Sequence, residues 1–414
     1  MNKKRHLHPS DIRALARLAT DATIGLTDLV EAVHHTIVRL PGTTVAAVPA
    51  VQRTRGISGI VYNTVRGIAR ATGGGIDKLL AQLSPFFGES GSSPEREAVL
   101  ATLNGVLGDY MAGTGNTLAI PMRLRLGGNA LRLEREALSA AIPHAGSRLL
   151  VLAHGLCMND LQWRRLGHDH GAALAHDLGY TPLYLHYNSG RHTSDNGRNL
   201  ASLLQDLIRE WPQPVEELVL VCHSMGGLVA RSACHYGAAE GHTWLPLLRK
   251  LIFLGTPHHG APLERIGNWI DVLLKATRYA APFARLGKIR SAGITDLRFG
   301  NLLEEDWTGR DRFARGPDRR QLLPLPSGVQ CYTVAATLGK AIGSMTDRIL
   351  GDGLVPLDSA LGIHEQGERR LDFTPDRQWV ACETGHMDLL SSADVYARIC
   401  DWLAQARTEV HESV

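Results

Sequence analysis

No apolar run in the chain reaches the ~18 residues that cross a bilayer, so no membrane-spanning helix is expected. The start, Met1-Asn2-Lys3-Lys4-Arg5-His6, has the charge of a secretion leader's front. No apolar core follows it, because Asp11, Arg13, Arg17 and Asp21 interrupt the pattern. The six cysteines contain no C-x-x-C pair, which removes the usual zinc and thiol-redox signatures. Cys222, Cys331 and Cys382 sit in or beside apolar strand-like runs, where buried free thiols normally lie. Charge of either sign is nearly balanced, at +3, and no basic run is interleaved with aromatics. Nucleic acid is therefore not an expected partner. Cytoplasmic residence is the default expectation, with peripheral membrane contact left open. What remains is a chain of 414 residues with ordinary apolar and charged fractions, long enough for a sizeable core.

Its first ~85 residues differ from the rest. Leu26, Leu29, Val30, Val33, Ile37 and Leu40 keep helical spacing, with Thr27 as N-cap and Pro41-Gly42 as a stop. A second helical pattern runs through Ile57, Val61, Val65 and Ile68 and ends at Gly73-Gly74-Gly75. Residues 1–87 hold 11 basic and 5 acidic side chains, a net +6 that leaves −3 for the remainder. A basic amphipathic segment of this kind suits either a helical cap on the main domain or a surface for anionic lipid. Ser84 to Ser93 reads as a linker, and residues 94–406 as the main domain.

Ser93-Pro94-Glu95 opens a helix carrying Val99, Leu100, Leu103, Val106 and Leu107. Leu118–Leu126 and Ala130–Leu133 flank Gly127-Gly128-Asn129 as a hairpin. From Arg148 onward, short apolar runs alternate with helical patterns. Leu149–Leu152, Pro182–Leu185, Leu218–Val221 and Leu251–Leu254 are the expected strands, with helices over Leu200–Trp211 and Met225–Ala239. Later strands are expected near Val329–Val334 and Gln378–Cys382, and a last helix over Ala393–Ala406. Such alternation predicts an α/β fold, a doubly wound and mostly parallel sheet covered on both faces.

The strand Leu218–Val221 runs straight into Cys222-His223-Ser224-Met225-Gly226 and then into a helix. A serine at the apex of a strand-turn-helix stands clear of its own backbone, where a carbonyl can reach it. The pattern is the nucleophile elbow G-x-S-x-G with Cys222 in place of the first glycine; taken alone, a serine there can also be a mere helix cap. Nucleophilic use of a serine needs a base, and an acid to hold that base in one tautomer. Gly351-Asp352-Gly353 supplies an Asp in a tight turn, and Gly385-His386 a His just after a strand. His386 is preferred over His223, His258, His259 and His364, and Asp352 over Asp347 and Asp358, which lack so tight a glycine turn. His154-Gly155-Leu156 ends the first parallel strand, so the N–H groups of Leu156 and Met225 are the natural oxyanion donors.

Together with Gly255-Thr256-Pro257-His258-His259-Gly260, these segments resemble the lipase-type α/β-hydrolases, bacterial triacylglycerol lipases and the inositol-deacylase-like branch in particular. The resemblance covers roughly residues 145–406. It implies Ser224 as nucleophile, His386 as base, Asp352 as its orienter, and Leu156 with Met225 as the oxyanion hole. Asp388 matches a calcium ligand of some bacterial lipases, but its expected partner is missing around Val329-Gln330-Cys331. Asp388 is thus expected to be a helix-entry or loop-fixing residue, and no metal or other cofactor is expected.

Between Gly260 and Val329 an insertion, about 261–328, carries Ile266, Trp269, Ile270, Leu273 and Leu274, then Tyr279, Phe283 and Leu286. That stripe marks either a lid over an acyl pocket or an ordinary helical subdomain. The expected function is hydrolysis of a carboxylic ester, lipid-like or otherwise small, through an acyl-enzyme. The alternatives are acyl transfer by the same three residues, or a silent hydrolase fold serving as a binding module. Membrane contact, if made, would run through the N-terminal helices or the lid.

Overall fold

The computed structural model describes residues 94–261, 291–311, 318–341 and 350–405. The expected helices before residue 85, the Ser84–Ser93 linker, the Ile266–Leu286 stripe and Asp347 lie outside the described residues. The chain divides into two compact units, one of Met1–Ile120 with Gly267–Ser291 and one of Pro121–Ile266 with Ala292–Val414.

In the first unit, helix α1 (Pro94–Gly113) begins on the proline, whose missing N–H costs nothing at that position. Leu103, Val106 and Leu107 are buried as the pattern requires. Thr102 and Asn104 are buried too, so the helix is enclosed beyond one apolar stripe. Asn104 satisfies its amide by donating to the Leu118 carbonyl at 2.9 Å and accepting from the Ile120 N–H at 2.8 Å.

The second unit is built on a sheet of eight strands: β1 (Arg123–Leu126), β2 (Asn129–Ala130), β3 (Arg148–Ala153), β4 (Thr181–His186), β5 (Glu217–His223), β6 (Leu248–Leu254), β7 (Gln330–Ala336) and β8 (Gln378–Ala381). Their order is β2-β1-β4-β3-β5-β6-β7-β8. Pairs from β4 to β8 are parallel; β1 pairs antiparallel with β2 and with β4. Leu149 to Leu152 and Leu218 to Val221 are all buried, as strands covered on both faces must be. The expected doubly wound sheet is present.

Helices α2 (Arg135–Ala141), α3 (His170–Leu178), α4 (Thr193–Glu210), α5 (Met225–Ala239), α6 (Ala292–Asp296), α7 (Leu357–Ala360) and α8 (Ala393–Ala404) complete the unit. Among the described residues no helix is long and apolar enough to cross a membrane. Helix α5 spans the residues expected of it. Helix α4 starts seven residues earlier than its apolar pattern, because Thr193, Ser194, Asn196 and Gly197 are small enough to be buried in its first turns. The hairpin also differs from expectation. Gly127 and Gly128, at φ +58° and +81°, form a two-residue turn by themselves, and Asn129 already pairs with Leu126. Lys250 on β6 is buried and donates to the carbonyls of Trp402, Leu403 and Gln405 at 2.7, 3.3 and 3.1 Å, closing the C-terminal end of α8.

Chain order fixes where a site belongs. From β3 the chain moves outward to β4, then returns past β3 to β5 and continues the other way. The crevice beyond the carboxyl ends of β3 and β5 is the switch point, where such sheets place their ligands.

Candidate active site

Ser224 stands at that switch point, between β5 and α5, with φ +55° and ψ −125°. A non-glycine residue in this region is strained, as an elbow requires. The corner holds because its neighbours are small. A Cβ on Gly226 would stand 2.5 Å from the Ala153 carbonyl oxygen, and one on Gly227 would collide with the Thr256 hydroxyl. Cys222 fits where the pattern has glycine: it is fully buried, paired in register with Ala153 and Phe253. Burial pushes its thiol well above the ordinary range, so it is an inert packing group.

Asp352 and His386 meet. The His386 Nδ1 donates to Asp352 Oδ2 at 2.7 Å, and both side chains are almost wholly buried. The other carboxylate oxygen accepts from the N–H groups of Leu354 and Val355 at 3.0 and 2.8 Å, so the acid cannot rotate freely. Its turn depends on Gly351, at φ +54°, where any side chain would overlap the Val355 carbonyl. The His386 N–H returns to the Asp352 carbonyl at 3.1 Å, joining the two loops by backbone as well. Gly255, just after β6, closes the side of the dyad: a Cβ there would lie 3.1 Å from Asp352 Oδ2 and 3.2 Å from His386 Cε1. The Ser224 hydroxyl is buried and has no hydrogen-bond partner among the described residues.

Gly155, just after β3, presses against Ser224, since a Cβ on it would stand 2.9 Å from the Ser224 Cβ. That contact brings the His154-Gly155-Leu156 segment beside the elbow. Met225 is the first residue of α5, so its N–H has no acceptor inside the helix. Beyond Leu156 the chain is firmly held. Cys157 takes a positive φ of +58° and donates its N–H to Ser189 Oγ at 3.0 Å. Asn159 and Gln162 then form a reciprocal cap. Asp160 lies 3.2 Å from Arg125 on β1 and 3.0 Å from His186 on β4. Burial pushes its carboxyl up, but His186 and Arg125 outweigh that and hold it below the usual range.

Two supporting residues carry no sequence signature of their own. Tyr187 donates its hydroxyl to the His154 carbonyl at 2.8 Å and stacks on the His154 ring at 4.4 Å. His223 lies in the elbow itself, immediately before Ser224. Its Nε2 donates to the His386 carbonyl at 3.1 Å, with the two rings 4.6 Å apart. Burial, reinforced by His386, holds His223 neutral by lowering its pKa well below the ordinary value.

The alternatives His258, His259, His364 and Asp358 pack among other partners. His258 packs against Phe253 and Phe373 and approaches Arg231, and His259 stacks edge-on with His364. Asp358 lies in the first turn of the short helix α7. Asp388 accepts from the Gly385 N–H at 3.2 Å and sits 3.4 Å from Arg165, which ties down the loop that carries His386. Among the described residues no cluster of three or more His, Cys, Asp or Glu is arranged to hold a metal ion.

Residues 144–327 match the family described as PGAP1-like alpha/beta domain. No curated protein matches the chain. Among solved structures, the mature lipase BlEst2 of Bacillus licheniformis is similar at 19% identity and a TM-score of 0.39, over 68% of this chain and 97% of that one. The lin2722 gene product of Listeria innocua is similar at 15% identity and a TM-score of 0.37, over 63% and 96%. The esterase Pf2001 of Pyrococcus furiosus is similar at 11% identity and a TM-score of 0.37, over 62% and 80%. Its sheet order, with the elbow after β5, is that of the α/β-hydrolase fold.

Proposed function

We propose that the protein is a serine hydrolase of carboxylic esters that works through an acyl-enzyme. The observation that carries this reading is the buried 2.7 Å bond between His386 and Asp352, beside a serine at a strained apex. With its Nδ1 proton committed to Asp352, His386 presents Nε2 as a base. The Ser224 oxygen attacks the ester carbonyl carbon and its proton passes to that nitrogen. The N–H groups of Leu156 and Met225 receive the carbonyl oxygen as it becomes an oxyanion. Collapse breaks the bond to the alcohol oxygen, which leaves with the proton from His386. Water repeats the sequence on the acyl-enzyme and frees the acid.

Replacing Ser224 with Ala tests this with p-nitrophenyl esters as substrate. The variant is expected to keep the wild-type Tm and lose at least ~10³-fold in kcat, the range for removal of a nucleophile acting within a triad. Wild-type turnover in that variant overturns the proposal. Product analysis with an added alcohol separates hydrolysis from acyl transfer.

A further inference from the structure

Seven residues beyond Ser224, about 10 Å along α5, Arg231 is buried with its guanidinium at the floor of a cavity of about 100 Å³. His258 and His259 from the segment after β6 line the same cavity, as do Arg320, Arg369 and Arg370. Isolated buried guanidinium groups are rare, since each must be paired or bound. Arg231 donates to the Leu323 carbonyl and approaches His258 Nδ1 at 3.4 Å, while its Nε has no partner among the described residues. His258, accepting at Nδ1, carries its proton on Nε2, a second buried donor without an acceptor. No carboxylate among the described residues pairs with Arg231. Asp318 is taken by Arg320 and Arg369, at 2.9 and 3.5 Å. Asp306, on the cavity wall, spends both oxygens on the N–H groups of Leu302, Leu303 and Gln321. Burial, with Arg320 adding repulsion, lowers Arg231 to about 10, the direction expected of a cation lacking its counter-ion.

We propose that this cavity is a binding site for a small oxyanion of the phosphate type, held by Arg231 and His258 at its floor and by Arg370 at its mouth. Arg370 and Gln321 line the cavity as well and are exposed. A planar fork of N–H donors with an imidazole N–H beside it suits a tetrahedral phosphate, which offers acceptors in several directions. The group is either free phosphate or the phosphate of an organic ester. The site does not depend on the chemistry at Ser224.

Calorimetric titration of the full chain with inorganic phosphate, at ionic strength fixed with NaCl, tests the proposal; butyl phosphate serves as the second arm. Saturable binding of one anion per chain, tighter than ~1 mM, is expected with at least one of the two ligands. Tighter binding of butyl phosphate identifies an organic phosphate as the natural occupant, and tighter binding of inorganic phosphate the free ion. Arg231→Gln is expected to abolish binding. Arg370→Ser, an exposed change that leaves folding alone, is expected to weaken it about tenfold, the worth of one charge-assisted hydrogen bond. Ser224→Ala is expected to bind as the wild type does, so loss of esterase activity and loss of anion binding are separately visible. Absence of saturable binding with both ligands, or wild-type affinity in Arg370→Ser, overturns the proposal.

Discussion

Adding one methyl group at Gly155 should damage catalysis far more than folding. In Gly155→Ala the new Cβ would sit 2.9 Å from the Ser224 Cβ, 3.2 Å from His223 Nδ1 and 3.4 Å from Met158 Sδ. The first distance is inside any ordinary carbon–carbon contact, and Ser224 is locked in a strained conformation on the far side. The strand end and the elbow must therefore separate by some tenths of an ångström. Such overpacking costs about 1–3 kcal/mol of stability. The same movement displaces Ser224 from Leu156, and in the proposed mechanism a misplacement of the nucleophile approaching 1 Å costs about 100-fold in rate. Steady-state kinetics with a short p-nitrophenyl ester should show kcat falling by that order, and urea unfolding should show only the modest stability loss. Gly367→Ala is the control, because nothing lies within 4 Å of its added Cβ. If Gly155→Ala keeps wild-type kcat, Gly155 does not set the approach of the oxyanion segment to Ser224, and the reasoning fails.

Two further outcomes follow from the buried histidines. Burial lowers His154 to about 3 and His170 to about 4, whereas both titrate near 6.5 when unfolded. The unfolded chain thus binds more protons in between, and stability present above ~6.5 is lost as pH falls toward 4, at about 1.4 kcal/mol per pH unit for each group. Urea midpoints at pH 7.5, 6 and 5 should drop in that order, and a flat profile contradicts it. His223→Leu removes the donor to the His386 carbonyl. It should cost about 1–3 kcal/mol of stability and several-fold in kcat, with unchanged kcat as the contrary result.

Much of this architecture was legible in the order of residue types, and the exceptions have physical causes. Strand β5 and helix α5 were readable because an apolar run meets Gly226 and Gly227 at a corner that admits no larger side chain. Asp352 announced itself through its two flanking glycines, which the turn needs. The start of α4 was hidden because its first turns bury Thr193, Ser194 and Asn196, polar residues that carry no apolar period. Tyr187 could not be picked out, since its bond to the His154 carbonyl joins segments 33 residues apart. Arg231 looked like one more polar residue on a helix. Its burial comes from the segments around His258, Leu323 and Leu371, which only the folded sheet brings together. Local signals mark turns and elbows; sites made from distant segments leave almost none.

The central claim is that Ser224 is a nucleophile activated by His386 and Asp352. A fluorophosphonate probe reacts with such a serine and with few others, because phosphorylation of an ordinary hydroxyl has no base to assist it. Incubating the full chain with the probe, then mapping the adduct by peptide mass spectrometry, puts the claim to its most direct test. One adduct per chain on the peptide containing Ser224, lost in Ser224→Ala and strongly slowed in His386→Ala, is the result expected. A folded chain that takes up no probe, or carries it on another residue, contradicts the account.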